Sequence, residues 1–330
     1  MVLPPSLTSS VPSLAQRLGL GKLALALWHQ PVDRLRDSLR NGGPWEERRT
    51  ERGRQAMEAA AFTLPVPPPM PGRPLELHLL TGRRFWYQTA FCLWSLARHA
   101  QRPLAPVIYD DGSLAAEFRA PLARLFPATR FVGRAETVAR LDAHLPAARF
   151  PALRERWLNY PNIRKLTDPH LGSAGWKLVL DSDLLFFRGP DFLVHWLDAP
   201  AQPLHAVDYE TSYGYSRPLM NELAGAPVPD LINVGLTGLN SSELDWERLE
   251  HWCHTLIARE KTSYYLEQAL IAMLVAGRPC AVAPVGDYVT LPEPPEATNC
   301  RAVMHHYVAQ SKRWYFQHNW ARVAGRAGPA

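Results

Sequence analysis

Two aspartates one residue apart follow an apolar run near the middle of the chain. Residues 176–180 are mainly apolar and strand-forming, so they predict a buried strand. Asp181 and Asp183 come directly after it, separated by Ser182. Carboxylates that end a strand can hold Mg²⁺ or Mn²⁺ while leaving positions open for phosphate oxygens. The motif therefore indicates a metal site for a nucleotide-diphosphate substrate, although Asp-Ser-Asp also forms turns and helix caps.

A second group of chemically active residues lies near the C-terminus. Residues 303–314 include His305, His306 and Lys312. A neutral imidazole can complete the ligand set of Mn²⁺, and a lysine nearby can place a positive charge on a pyrophosphate. The alternative is that the two histidines are surface or capping residues.

After residue 74, segments that predict strands alternate with segments that predict helices, and these elements must position the residues described above. Such alternation predicts an α/β fold with a mainly parallel sheet covered on both faces. The aspartates would then lie at the carboxyl edge of the sheet, where ligands of such folds bind. We predict strands at 75–80, 106–109, 131–132, 176–180, 204–207 and 231–239, and helices at 88–99, 115–126, 135–145, 162–171, 246–259 and 264–276.

The first part of the chain has a different composition. Residues 1–62 are helix-prone and predict a helical N-terminal extension, which either packs on the main domain or lies on a membrane surface. Residues 63–74 are rich in proline and predict a stiff linker. The main domain is therefore expected at 75–330.

Composition restricts the class of protein. The chain has 330 residues, 47% of them hydrophobic, which is enough for one sizeable core. Its net charge of +5 comes mainly from scattered arginines without a dense basic arm, so nucleic-acid binding is not predicted. The start lacks a signal-peptide pattern, and residues 23–28 are too short to span a bilayer. The four cysteines, Cys92, Cys253, Cys280 and Cys300, lack short metal-binding spacing and indicate reduced thiols in a cytoplasmic protein. The helix-prone N-terminal residues leave a membrane-peripheral location as an alternative.

Five motifs in chain order resemble those of a known family. The glycogenin-like retaining glycosyltransferases of GT-A fold have similar motifs in the same order, and the resemblance extends over residues 75–320. It implies a Rossmann-like central sheet with helices on both faces. The matching residues are Lys165-Leu166, Asp181-Ser182-Asp183, Asn233-Val-Gly235 with Asn240, Glu267-Gln268, and His306 with Lys312 and Trp314.

The resemblance also implies a role for each matching residue. Asp181, Asp183 and His306 would be the metal ligands. Asn233, Glu267 and Gln268 would be the catalytic residues, although the last two could instead lie on an exposed helix face. The nucleotide-sugar would contact Thr81, Gly82, Tyr87, Lys165, Asp181, Ser182, Asp183, Gly235, Lys312 and Trp314, with Phe85 or Trp86 as alternatives to Tyr87 near the base.

Three positions depart from the family pattern. Ala309 stands where the family often has glycine, and Arg313 where it often has proline. The loop that carries Lys312 could therefore follow a different backbone path, and Arg313 could bind phosphate or face water. Glu267 replaces the usual aspartate, which bears on the preference for the donor sugar.

The resulting hypothesis is a metal-dependent retaining transferase. It would use Mn²⁺ or Mg²⁺ to move a hexose from a UDP-sugar, UDP-glucose or UDP-galactose, to an unidentified hydroxyl of a saccharide, lipid or protein. Residues 209–229 are expected to contact the acceptor or to form a lid. One alternative is a catalytically inactive binding or scaffold protein. A second is a sugar nucleotidyltransferase, which predicts a glycine-rich loop after the first strand, where residues 81–84 offer one glycine.

Overall fold

The computed structural model describes residues 42–325. The chain divides into two compact units, residues 1–51 and 52–330. Most of the predicted N-terminal extension lies outside the described residues, but helix α1 (Pro44–Ala61) covers its last part. The proline-rich residues 64–71 carry neither helix nor strand. Within residues 42–325, no helix combines the length and the apolar composition that crossing a bilayer requires.

A seven-stranded sheet forms the centre of the second unit, and it confirms the predicted α/β fold. Its strand order is β3-β2-β1-β4-β7-β6-β8, and β7 alone runs antiparallel to its neighbours. The inner strands β1 and β2 are mostly buried because helices lie around the sheet. The strands are β1 (Leu75–Thr81), β2 (Leu104–Asp110), β3 (Arg130–Val132), β4 (Trp176–Leu180), β6 (Leu204–Val207), β7 (Ile232–Asn240) and β8 (Ala281–Val282).

Helices connect and cover these strands. Helix α2 is buried almost all round because it packs on both β1 and the short strand β5 (Leu184–Phe186). The helices after α1 are α2 (Trp86–Ala100), α3 (Ala116–Leu125), α4 (Arg134–His144), α5 (Pro151–Asn159), α6 (Arg164–Thr167), α7 (Asp191–Asp198), α8 (Arg217–Ala224), α9 (Trp246–Glu260), α10 (Leu266–Leu274), α11 (Pro294–Asn299), α12 (Lys312–Trp314) and α13 (Trp320–Val323).

A second, three-stranded sheet brings the C-terminal motif to the central sheet. It consists of β5 (Leu184–Phe186), β10 (Met304–His306) and β9 (Tyr288–Thr290), in the order β5-β10-β9. Strand β10 runs antiparallel to β5, so that His306 lies opposite Leu184. The backbone N–H of Tyr307 continues this pairing by donating to the Asp183 carbonyl at 3.1 Å. The pairing therefore fixes His306 beside the Asp-Ser-Asp motif.

The structure differs from the sequence prediction mainly in short elements. The helix expected at 162–171 is a 3₁₀ turn (Pro161–Ile163) followed by one turn of α-helix, α6. Strands β9 and β10 have three residues each and were not predicted, because so short a segment shows no measurable periodicity.

Candidate functional site

Three potential metal ligands converge at the carboxyl end of β4. Asp181 and Asp183 follow that strand, and His306 ends β10. Their ligand atoms all lie within 4.8 Å of one another. His306 Nε2 is 3.3 Å from Asp183 Oδ1 and 3.7 Å from Asp181 Oδ2. Two carboxylates and one imidazole form a ligand set suited to Mn²⁺ or a similar divalent ion.

The orientation of His306 is fixed by β7. Its Nδ1 lies 2.9 Å from Asn233 Oδ1, and the same oxygen accepts the Gly235 N–H at 3.0 Å. Because this oxygen can only accept, we assign a proton to Nδ1, which leaves Nε2 as the nitrogen that faces the carboxylates and that a metal would bind. A Cβ atom on Gly235 would overlap the His306 ring. Asn233 and Gly235 therefore hold the imidazole in the tautomer that a metal needs, and the residues fit a divalent cation.

Two lysines flank the aspartates. Lys165 Nζ lies 2.9 Å from Asp181 Oδ1 and 3.5 Å from Glu267 Oε2. Lys312 Nζ lies 3.3 Å from Asp183 Oδ2 on the other side. Burial works against the charge on Lys165, but the carboxylates of Asp181 and Glu267 outweigh it and raise the Lys165 pKa.

Asp183 and Lys312 each stabilise the charged form of the other. Burial opposes ionisation of Asp183, but contact with His306 and the charge of Lys312 hold the Asp183 pKa well below its usual range. The Asp183 carboxylate in turn raises the pKa of the Lys312 ammonium. Asp183 therefore stays ionised, and so able to bind a cation, throughout the physiological pH range.

The acid and amide of helix α10 are buried beneath the site. Glu267 and Gln268 are 3% and 8% exposed, which excludes the alternative of an exposed polar helix face. Burial raises the pKa of Glu267 to about 7, although Lys165 opposes that shift. Gln268 Nε2 donates to Asp208 Oδ2 at 3.0 Å.

Asp208 is a residue of this region that the sequence prediction missed. It directly follows β6 and is 8% exposed. The signal that identified Asp181, an acid at the end of a predicted strand, was also present here. Asp208 was overlooked because a single acid lacks the paired spacing of Asp-Ser-Asp.

The expected nucleotide end lies where β1 and β2 stop. Thr81 is buried and its hydroxyl pairs with that of Thr89 at 2.7 Å. Gly82 packs so closely on the Asp111 carboxylate that a Cβ atom would overlap it. Asp111 is therefore a further polar group at this edge that was not assigned to the site.

The three aromatic residues after Gly82 differ in exposure. Phe85 is 42% exposed, whereas Trp86 and Tyr87 are 0% and 2% exposed. Tyr87 packs edge-on against Trp86, and the Arg54 guanidinium lies over its ring. Tyr87 is therefore buried by its neighbours, and Phe85 is the most accessible of the three aromatic residues.

Other predicted residues lie at the margin of the cluster or away from it. Ser182 is half-buried between the two aspartates. His305 points away from the cluster and contacts Tyr307 Oη at 3.0 Å and Glu296 Oε1 at 2.9 Å, since successive strand residues face opposite sides. Asn240 lies opposite Trp176 at the far end of β4, where it caps a 3₁₀ turn.

A cavity of about 740 Å³ lies beside the Lys312 segment. Its walls come from the end of β6, from β9 and the loop that follows it, and from residues after β10. Asp208, Tyr209, Thr290, Arg313 and Trp314 are among the lining residues. The structure thus places Trp314 in a cavity wall together with Arg313, the residue that follows Lys312.

The comparisons with known proteins find similarity of fold. No family model matches the chain, and no curated protein matches it. Mouse xyloside xylosyltransferase 1 is 13% identical with a TM-score of 0.49, over 71% of this chain and 97% of that protein. The bifunctional glycosyltransferase WbbM is 12% identical with a TM-score of 0.48, over 79% of this chain and 53% of WbbM. The galactosyltransferase LgtC, with donor and acceptor sugar analogues, is 13% identical with a TM-score of 0.48, over 76% of this chain and 95% of LgtC.

Proposed function

We propose that the protein is a metal-dependent retaining glycosyltransferase. It would move a hexose from a UDP-sugar, UDP-glucose or UDP-galactose, to a hydroxyl of an acceptor. The observation that supports this proposal is the convergence of Asp181, Asp183 and His306, with Lys312 beside them. Residues 75–330 would carry out the transfer, with residues 1–62 as a helical extension and 63–74 as the linker.

The ligand cluster would serve the leaving group. A divalent ion, Mn²⁺ or Mg²⁺, held by Asp181, Asp183 and His306 would supply Lewis-acid stabilisation of the charge that grows on the departing UDP. Lys312 has a side chain that is 41% exposed, so it can turn from Asp183 toward a diphosphate oxygen. Lys165 is held between two carboxylates and would keep Asp181 oriented.

The buried side of the cluster would face the transferred sugar. Gln268 donates its amide N–H to Asp208, which leaves its carbonyl oxygen available to stabilise positive charge at the anomeric carbon. Asn233 would act by fixing His306, and Glu267 by fixing Lys165. No side chain is assigned as a nucleophile, and the acceptor hydroxyl would attack from the face on which UDP departs.

The nucleotide and the acceptor would occupy opposite sides of the cluster. The uridine would lie at Thr81 and Gly82, where β1 ends, with Phe85 as the accessible aromatic. The acceptor would enter the cavity that contains Tyr209 and Trp314, because aromatic rings stack on the apolar faces of sugars.

The proposal is tested in two steps. UDP should raise the melting temperature in the presence of Mn²⁺, and EDTA should abolish that shift, because a ligand that binds the folded state stabilises it. Slow release of free sugar from UDP-glucose or UDP-galactose, with Mn²⁺ and without acceptor, would then identify an enzyme. UDP binding without sugar release would indicate the scaffold alternative, and consumption of UTP with a sugar 1-phosphate would indicate a nucleotidyltransferase. Absence of any Mn²⁺-dependent UDP binding would contradict the proposal.

A further inference from the structure

Arg313 carries a positive charge for which the described residues provide no ion-pair partner. Its guanidinium contacts the Trp314 ring at 5.5 Å, and its buried Nε lacks a hydrogen-bond acceptor within residues 42–325. Most arginines in this protein pair with a carboxylate or a backbone carbonyl, as Arg102 does with Asp198 at 3.1 Å. An arginine that has no protein acceptor in a cavity wall is a candidate for binding a ligand.

Arg313 faces a different space from its neighbour Lys312. The two residues begin α12, and consecutive residues of a helix point about 100° apart. Lys312 contacts Asp183, whereas Arg313 lines the cavity of about 740 Å³. The Arg313 charge is therefore directed away from the expected diphosphate position and toward the expected acceptor position.

Three acids line the cavity, and none of them forms an ion pair with Arg313 within the described residues. Asp208 accepts hydrogen bonds from the Gln268 amide and the Tyr209 backbone N–H. Glu296 accepts from the Ala302 backbone N–H and contacts His305. Glu293, the third acid, is exposed. Near Arg313, the hydroxyl of Thr290 also lines the cavity and lacks a partner within the described residues.

We propose that Arg313 determines acceptor specificity by binding an oxyanion, a carboxylate or a phosphate, carried by the acceptor. A guanidinium matches both groups because its planar N–H donors can form two parallel hydrogen bonds. The engaged acids elsewhere in the cavity would repel further negative charge, so the rest of the acceptor is expected to be neutral. This inference rests on the proposed transferase function, because it assigns the cavity to the acceptor.

The inference can be tested with three sugars that differ in one substituent. Methyl β-D-glucoside is the neutral probe, methyl β-D-glucuronide carries a carboxylate, and methyl β-D-glucoside 6-phosphate carries a phosphate. Each is titrated against the full chain with Mn²⁺ and UDP, and thermal shifts give apparent affinities. We expect at least one acidic probe to bind about tenfold or more tightly than the neutral probe, as a charge-assisted hydrogen bond predicts. The preferred probe distinguishes the carboxylate from the phosphate.

Variants of Arg313 test whether this residue causes the preference for an acidic probe. Arg313→Gln should remove it, and Arg313→Lys should retain only part, because lysine keeps the charge but not the two-pronged geometry. Arg259→Gln, which removes an exposed arginine paired with Glu222, is the control and should retain the full preference. Loss of the preference in Arg313→Gln alone supports the inference even if the chain turns over no donor. If the parent binds all three probes equally, or binds none of them, the inference is overturned even if the enzyme is active. Weaker UDP binding in Arg313→Gln would also overturn the inference.

Discussion

Lys165 and Lys312 pair with the two aspartates of the same motif, yet their surroundings are opposite. The Lys165 side chain is 12% exposed and lies between Asp181 and Glu267. The Lys312 side chain is 41% exposed and contacts one carboxylate, that of Asp183. Both ammonium groups have raised pKa values, so both remain charged at neutral pH. Charge alone therefore does not distinguish the two lysines, and burial does.

This difference separates a structural from a functional ion pair. A buried pair that loses one member leaves an uncompensated charge in a medium of low dielectric constant, whereas an exposed pair is solvated when it opens. Lys165 is therefore expected to maintain the shape of the site. Lys312 is expected to exchange its partner for a ligand.

The largest effect is expected for Lys165, the buried lysine, and it concerns stability. Lys165→Met should lower the free energy of unfolding by about 3 to 5 kcal/mol, because Asp181 and Glu267 lose the counter-charge that they share. Chemical denaturation measures this loss. The double variant Lys165→Met/Glu267→Gln should recover most of it, and Lys177→Met, which breaks a pair near the other end of the sheet, should cost far less. A loss below about 1 kcal/mol in Lys165→Met would remove the distinction between the two lysines.

The next largest effect is expected on activity, for Asp183, the partner of Lys312. Asp183→Ala should reduce Mn²⁺-dependent turnover of the UDP-sugar about 10²- to 10³-fold, or about 3 to 4 kcal/mol, because a preorganised electrostatic group is lost. The fold should persist, since it is the backbone of Asp183 that pairs with Tyr307. Asp287→Ala, which removes an exposed acid paired with Arg188, is the control. Turnover at the parent rate would show that Asp183 holds no catalytic metal.

A pH dependence is expected from the helix that carries Lys165. Asp168 directly follows α6 and accepts hydrogen bonds from Trp157 and Thr167, and burial raises its pKa to about 6. A raised carboxyl pKa contributes stability that is fully present below about pH 4 and is lost as the pH rises through about 6. Asp168→Asn should therefore gain stability relative to the parent over this interval, by up to about 3 kcal/mol at 1.36 kcal/mol per pKa unit. Parallel unfolding curves for parent and variant at each pH test this, and a constant difference would contradict it.

The smallest of these effects is expected for Lys312. Lys312→Ala should weaken UDP binding about 10- to 100-fold, as expected when one charge-assisted contact is lost. The free energy of unfolding should change less than in Lys165→Met, because the Lys312 side chain is 41% exposed and the Lys165 side chain 12%. Calorimetry measures the affinity, with Lys177→Ala as the matched control. Unchanged UDP affinity would show that Lys312 does not bind the nucleotide. The functional distinction between Lys312 and Lys165 would then be wrong.

The loop that bears Lys312 has a left-handed residue at one of the positions that depart from the family pattern. Ala309 replaces a glycine that the resemblance leads one to expect, and the sequence suggested a different backbone path. The structure gives Ala309 a φ of 44°, in the left-handed region that glycine favours. The chain therefore adopts a glycine-like conformation with alanine, at a cost of about 1 to 2 kcal/mol, and Lys312 still reaches Asp183.

The sequence by itself determined the elements with strong local signals. The central strands and the long helices, such as β4 and α9, follow from apolar runs and helical periodicity within one segment. The acids at the end of β4 follow from the same local pattern. The choice of His306 rather than His305 as ligand came from the motif resemblance, and the structure shows its physical reason in the alternation of β10.

Only the tertiary structure decided which residues surround the ligands. Asn233 contacts His306 across 73 positions, which depends on how the two sheets are placed. Gln268 contacts Asp208 across 60, which depends on how α10 packs at the end of β6. Burial of Glu267 and Tyr87, and the open cavity at Arg313, also depend on packing by distant segments. Local sequence patterns cannot specify these features, because the free energy that fixes them comes from contacts formed only when the whole domain has assembled.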